Sequence, residues 1–154
     1  MRWKTHLAFA LLCGLFLFKF FKIPVYLFFP LVLFGALLPD LDTPQSKIGK
    51  KVPLISKLAN FLLGHRGIFH SVLFLALLYF AFSFLIGKWY ALALALGYLS
   101  HLVIDGFTIA GINYLNPIAK LHVSGFIETG TFSETILLFI LIGLDIIKIY
   151  GLII

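Results

Sequence analysis

The sequence predicts an all-α fold: a polytopic membrane helix bundle of about five hydrophobic segments with one interfacial loop or short helix, forming a single integral membrane domain over residues 1–154. Hydrophobic residues make up 62% of the chain and charged residues 12%, with a mean hydropathy of +1.10. A water-soluble domain carries about 25% charged residues, so this chain has too few to cover a water-facing surface, and a soluble enzyme is excluded. Residues 68–86 and 132–154 are almost free of charge and have the length, about 20 residues, that a helix needs to cross a hydrocarbon core about 30 Å thick. The length leaves room for four or five crossings and no soluble domain, so any chemistry must be built from helix ends and short loops.

Residues 6–21 form the first apolar segment, and Lys19-Phe20-Phe21-Lys22-Ile23-Pro24 turns into the second, since proline steers its predecessor away from helix. The N-terminal run resembles a leader, but no small-residue cleavage pattern follows and the run meets Lys19 and Lys22, so a retained helix is expected. Cys13 is the single cysteine, which excludes an internal disulfide, and the bulk of Leu12 before it argues against a lipid anchor. The second segment, 25–38, stops at Pro39-Asp40. Residues 39–67 are polar, with Leu54–Leu63 read as a short amphipathic helix at the interface. The third segment is Ile68–Ile86, Gly87-Lys88 turns, and the fourth is Trp89–Phe107. A Gly-rich loop spans Gly106–Gly130, and the fifth segment is Phe132–Ile154.

The net charge of +6 comes from cations scattered between segments, without interleaved stacking aromatics, so no nucleic-acid partner is expected. Cations accumulate on the cytoplasmic side of membrane proteins. With five crossings and the N-terminus inside, Arg2, Lys4, Lys47, Lys50, Lys51, Lys57, Arg66 and Lys120 face the cytoplasm, against Lys19, Lys22, Lys88 and Lys148 outside. The expected location is the cytoplasmic (inner) membrane.

On that topology the ionisable groups collect on the cytoplasmic side: His6 at the start of the first helix, Asp40 and Asp42 after the second, His65 and His70 around the third, and Glu134 at the entry of the last. His101 and Asp105 lie four residues apart and project from one helix face, in the inner part of the fourth segment. Intramembrane ionisable groups are costly unless partnered or lining a cavity, so a shared site is expected. Two neighbouring carboxylates, Asp40 and Asp42, repel unless a cation sits between them. Imidazole with carboxylate suits a divalent transition metal, zinc first, with manganese or iron as alternatives, better than calcium. His6, Asp40, Asp42, His70, His101 and Asp105 outnumber the ligands of one ordinary zinc site, so either two ions bind or some of these residues orient the true ligands.

Plainer roles compete. A single intramembrane histidine is more often an interhelical hydrogen bond, and Asp40 and Asp42 could simply end a helix. Glu134 reads first as an N-terminal-turn acid with Thr131 or Ser133 as cap. Asp145 and Lys148 read as a local ion pair, His122 as solvated loop, and Lys47, Lys50 and Lys51 as contacts for anionic lipid.

Three blocks, Pro39-Asp40-Leu41-Asp42-Thr43-Pro44-Gln45-Ser46, Gly64-His65-Arg66-Gly67-Ile68-Phe69-His70-Ser71 and Tyr98-Leu99-Ser100-His101-Leu102-Val103-Ile104-Asp105, are followed by Thr108, Gly111 and Pro117. In this order and spacing they resemble the YdjM-like family of inner-membrane proteins described as metal-dependent hydrolases, over roughly residues 6–140, and Gly130–Glu134 resembles that family's last block. Asn116 departs from the aromatic residue usual before the proline. The resemblance implies His6, Asp40, Asp42, His65, His70, His101 and Asp105 as functional positions.

The expected function is a membrane-bound, metal-dependent hydrolase acting at the cytoplasmic interface on a phosphoester of a lipid or other amphiphile. His65 or Glu134 would act as general base or orient a ligand, and Arg66, with Lys47 in reserve, would neutralise phosphate oxygens. Metal-ion or proton transport through the same cluster, or a metal-stabilised protein without turnover, are the alternatives.

Overall fold

The computed structural model describes residues 1–42 and 67–154, Asp42 by its backbone alone. Among these residues there are five α-helices: α1 (Trp3–Leu17), α2 (Val25–Gly35), α3 (Val72–Ile86), α4 (Lys88–Gly106) and α5 (Phe132–Ile153). A 3-10 turn at Phe18–Phe20 ends α1, and Pro24 sits at the N-cap of α2, where its missing N–H costs nothing. Further 3-10 turns lie at Pro39–Asp42 and Ile68–His70. Gly87 alone separates α3 from α4, with φ of +91°, a conformation that side chains disfavour. The segment read as a Gly-rich loop contains a small antiparallel hairpin, β1 (Ile112–Asn113) with β2 (His122–Val123), in the register Ile112↔Val123 and Asn113↔His122. Thr131 sits at the N-cap of α5 without a side-chain bond to the helix, its hydroxyl bonding Glu128 O instead, while Glu134 Oε2 accepts from Gly130 N, just before the cap, at 2.6 Å.

Helix α4 is the hub, packing against α1, α2 and α3, while α1 also packs along α5. The α2–α4 seam is close because both helices present glycine. A Cβ on Gly97 would run into Val32 O and Ala36 N, and one on Gly35 into Leu94 O. Small residues let helix backbones approach in this way where lipid offers no hydrophobic drive between helices. Around the seam, Ala10, Phe28, Val32, Ala36 and Ala93 form one buried cluster, and Leu38, Leu94, Tyr98, Leu102 and Ile112 another.

The outer surface is apolar. Helix α3 buries no residue fully, Phe84 is 89% exposed, and Phe80, Phe139 and Ile147 point outward. Water would not tolerate that surface, whereas lipid solvates it. Among the described residues, two helical stretches can cross a bilayer by length and composition, Trp3–Phe20 and Phe132–Ile153, against about five expected. The 11 residues of α2 rise about 16 Å, roughly half of a hydrocarbon core. The all-α, membrane-embedded expectation therefore holds in its coarse form. The interfacial helix expected at Leu54–Leu63 lies outside the described residues.

No Asp145–Lys148 ion pair forms among the described residues. Asp145 is buried, with no hydrogen-bond partner for Oδ1, while Lys148 Nζ lies 4.4 Å from the Phe16 ring centroid. Helix packing turns one inward and lays the other across α1, which overrides their i,i+3 spacing.

Replacing Gly97 with Leu should cost at least about 1–3 kcal/mol through overpacking. Gly143→Ala, where a Cβ meets open space, should be neutral or slightly stabilising. Thermal unfolding of both variants in detergent checks this, and equal melting temperatures would refute the close seam.

Candidate metal centre

Five of the expected residues come together where α1, α2 and α4 meet the turns after α2 and before α3. His101 and Asp105 stand one turn apart on α4, with His101 Nε2 3.5 Å from Asp105 Oδ2. His6, at the end of the first turn of α1, brings Nε2 to 3.5 Å from Asp105 Oδ1. His70 ends its 3-10 turn with Nε2 3.7 Å from Asp105 Oδ2. Asp40, on the turn after α2, places Oδ1 4.0 Å from His101 Nε2. Two sets of donor atoms, His6/Asp40/His101 and His70/His101/Asp105, each lie mutually within 4.8 Å. The Met1 amine also touches Asp105 Oδ1 at 2.8 Å.

The backbone around these side chains determines how they point. Ala36 O accepts a hydrogen bond from His101 Nδ1 at 2.7 Å. A carbonyl can only accept, so Nδ1 carries the proton and the Nε2 lone pair faces the cluster. Tyr98, fully buried on α4, donates its hydroxyl to Phe69 O, the carbonyl just before His70. Ser71 caps α3 by accepting from Phe74 N at 3.2 Å and donates to Ile68 O at 2.6 Å, which closes the turn that carries His70. At the C-terminal end of α4, Thr108 Oγ1 donates to Asp105 O at 2.6 Å and Tyr114 Oη donates to Leu102 O at 3.0 Å. Burial, and after it the charge of Asp105, raise the Tyr114 phenol above its ordinary pKa.

His6, His70, His101 and Asp105 are each no more than 2% exposed. Neither ring nitrogen of His6, nor Nε2 of His101, has a hydrogen-bond partner among the described residues. Buried polar atoms of this kind are rare and cost about 1–3 kcal/mol each when left unsatisfied. A metal bond would satisfy them. Ligand bonds of about 2.0–2.2 Å space neighbouring donors about 3.0–3.5 Å apart, close to the separations observed, and two imidazoles with a carboxylate form an ordinary donor set for zinc, manganese or iron.

Glu134 is placed elsewhere. Fully buried, it accepts from Arg2 N at 2.5 Å, Arg2 Nε at 3.2 Å, Thr5 Oγ1 at 2.9 Å and Gly130 N at 2.6 Å. Its carboxylate fastens the first turn of α1, which carries His6, onto the start of α5, and Arg2 also reaches Thr135 Oγ1 at 2.7 Å. His65 and Arg66 lie outside the described residues, as does the side chain of Asp42. His122 is exposed on β2. Sequence reasoning missed Ala36, Tyr98, Thr5 and Arg2 as parts of the site's frame. Tyr98 had a legible signal, since it precedes His101 by three residues and so sits on nearly the same helix face.

An apolar, lipid-facing helical bundle with buried imidazoles and carboxylates gathered at one end defines a class: integral membrane proteins with an internal His/Asp cluster. More specifically, the chain belongs to the YdjM inner membrane protein family, whose model matches residues 1–152. It is 37% identical over 118 residues to "Uncharacterized protein YvsG" of Bacillus subtilis (strain 168), covering 75% of this chain and 72% of that one. It is 34% identical over 126 residues to "Inner membrane protein YdjM" of Escherichia coli (strain K12) and of Shigella flexneri. Those matches cover 74% of this chain and 64% of the relatives, so the chain spans less than two thirds of the YdjM proteins' length. No solved structure matches.

Glu134→Ala leaves the N–H groups of Arg2 and Gly130 and the Thr5 hydroxyl without their acceptor. It should destabilise the protein by about 2–4 kcal/mol, whereas Glu128→Ala on the exposed loop should be near neutral. Chemical unfolding in detergent compares them, and equal stability would remove the structural role of Glu134.

Proposed function

We propose that this protein is a metal-dependent hydrolase of the inner membrane, acting at the cytoplasmic interface on a phosphoester of a lipid or other amphiphile. The observation that carries the proposal is the convergence of His6, Asp40, His70, His101 and Asp105, with both ring nitrogens of His6 and Nε2 of His101 buried and without a hydrogen-bond partner among the described residues. A divalent ion bound there, zinc first, with manganese or iron as alternatives, supplies Lewis acidity and lowers the pKa of coordinated water. The chain's own residues set the rest. His101 is held in the ligating tautomer by Ala36 O, and His70 is held by the turn that Tyr98 and Ser71 fix. Asp40, with a side chain 19% exposed, marks the mouth of the site. Glu134 already accepts four hydrogen bonds, so His65 is the better candidate to move a proton. Arg2 is committed to Glu134 and Thr135, which leaves Arg66, with Lys47 in reserve, to meet the phosphate.

The opposite end of the bundle favours hydrolysis over transport. There Phe21 packs on Phe28 at 4.7 Å and on Trp89 at 6.4 Å between ring centroids, and Phe28 on Phe29 at 5.1 Å. Lys22 and Lys88 lie over the Trp89 ring, at the edge of this packing, and among the described residues the aromatic packing offers no His, Asp or Glu as a step of the kind that a pathway needs. Asp145, a buried carboxylate on α5, is the observation on the side of transport, and metal uptake into sealed proteoliposomes would favour that reading.

Purified protein should hydrolyse bis-p-nitrophenyl phosphate, or phosphatidic acid in mixed micelles, and lose at least about 100-fold in rate on chelation, in Asp42→Asn and in His101→Ala. Undiminished rates in both variants would remove the assignment. On the Cys13→Ser background, a Lys50→Cys variant should resist an impermeant thiol reagent added to intact cells, and a Lys88→Cys variant should react. The reverse pattern would place the site outside.

A further inference from the structure

We infer that the cluster is built for two divalent cations bridged by the Asp105 carboxylate, with His70 and His101 on one side and His6 and Asp40 on the other. This inference rests on the metal-centre reading above and fixes its nuclearity. The first argument is valence. His101 spends Nδ1–H on Ala36 O, so its single lone pair, at Nε2, can serve one ion. His101 nevertheless belongs to both sets of donors, so the two sets cannot each use it for a separate ion.

The second argument is direction. An imidazole lone pair lies in the plane of its ring, and the rings of His6 and His101 are stacked, 3.7 Å between centroids and 5° from parallel. An ion shared between them at about 2.0–2.1 Å from each nitrogen would have to lie far out of both ring planes, by about 55° or more, where neither lone pair points. Parallel imidazoles instead address two positions side by side. Their spacing matches the separation of about 3.5–4 Å found in two-metal sites.

A carboxylate lies between them. Asp105 turns Oδ1 toward His6 Nε2 at 3.5 Å and Oδ2 toward His101 and His70 Nε2 at 3.5 and 3.7 Å. Each oxygen thus has its own imidazole company, as a bridging carboxylate requires. Asp40 Oδ1 lies 4.0 Å from His101 Nε2 and within 4.8 Å of the His6 donor atom; with the one lone pair of His101 committed beside His70, Asp40 is left to serve the His6 side.

The test counts ions and asks whether they touch. Detergent-purified protein is loaded with Mn²⁺, passed through gel filtration, and examined by inductively coupled plasma mass spectrometry and low-temperature electron paramagnetic resonance. Wild type should carry two Mn²⁺ per chain with an exchange-coupled spectrum. His6→Ala should keep one ion and show the uncoupled six-line pattern of isolated Mn²⁺. His6→Gln, with a circular dichroism melt beside it, separates ligand loss from misfolding: a folded variant holding one ion supports the inference. A wild type that saturates at one ion, with His6→Ala unchanged, overturns the inference and leaves the hydrolase reading standing. Two uncoupled ions in wild type, or two in folded His6→Ala and His6→Gln, overturns the bridge. A wild type that binds no metal overturns both readings.

Discussion

The hydrogen bond from His101 Nδ1 to Ala36 O is the constraint on which the rest of the structure depends. It joins a helix that carries two cluster residues to the end of the helix that delivers a third, Asp40. It forms only because the backbones of α2 and α4 nearly touch, and they nearly touch because residues 35 and 97 have no side chain. Packing and chemistry are therefore one feature here. A larger residue in the seam would lift Ala36 O away from the ring, free the tautomer, and shift Asp40 with the end of α2.

Burial raises the stakes of every polar contact. In lipid, an unmet donor or acceptor has no water to turn to, and an uncompensated charge costs several kcal/mol. The molecule answers in two places with two different solutions. Glu134 is met by four donors from α1 and the loop before α5, and the result is a rigid joint. In the His/Asp cluster both ring nitrogens of His6 and Nε2 of His101 have no hydrogen-bond partner among the described residues, which is the opening that the proposed metal would fill. The joint also serves the site, because the turn of α1 that Glu134 holds includes the residues flanking His6.

Much of this was legible in the sequence, and the physical reasons divide cleanly. The lipid-facing helices follow from composition, since too few charges exist to cover a soluble surface. His101 with Asp105 follows from helical periodicity, and the gathering of His6, Asp40 and His70 from the end of the segment on which each falls. What sequence could not supply was direction. Glu134 and the cluster residues share one end of the bundle, yet packing turns Glu134 toward Arg2 and Thr5. Asp145 and Lys148 have ion-pair spacing, yet the α1–α5 contact separates them. The α2–α4 seam depended on which of the chain's glycines face each other, and periodicity within one helix does not say.

The central claim is that His6, His70, His101, Asp40 and Asp105 hold a transition metal. K-edge X-ray absorption of the zinc-loaded protein tests it most directly, because imidazole ligands add a multiple-scattering pattern that water and lipid phosphate lack. The account predicts a shell of nitrogen and oxygen donors at about 2.0–2.1 Å with imidazole scattering, reduced in His101→Ala. A spectrum of oxygen donors alone, the same in both proteins, would contradict it and return these residues to the role of contacts between helices.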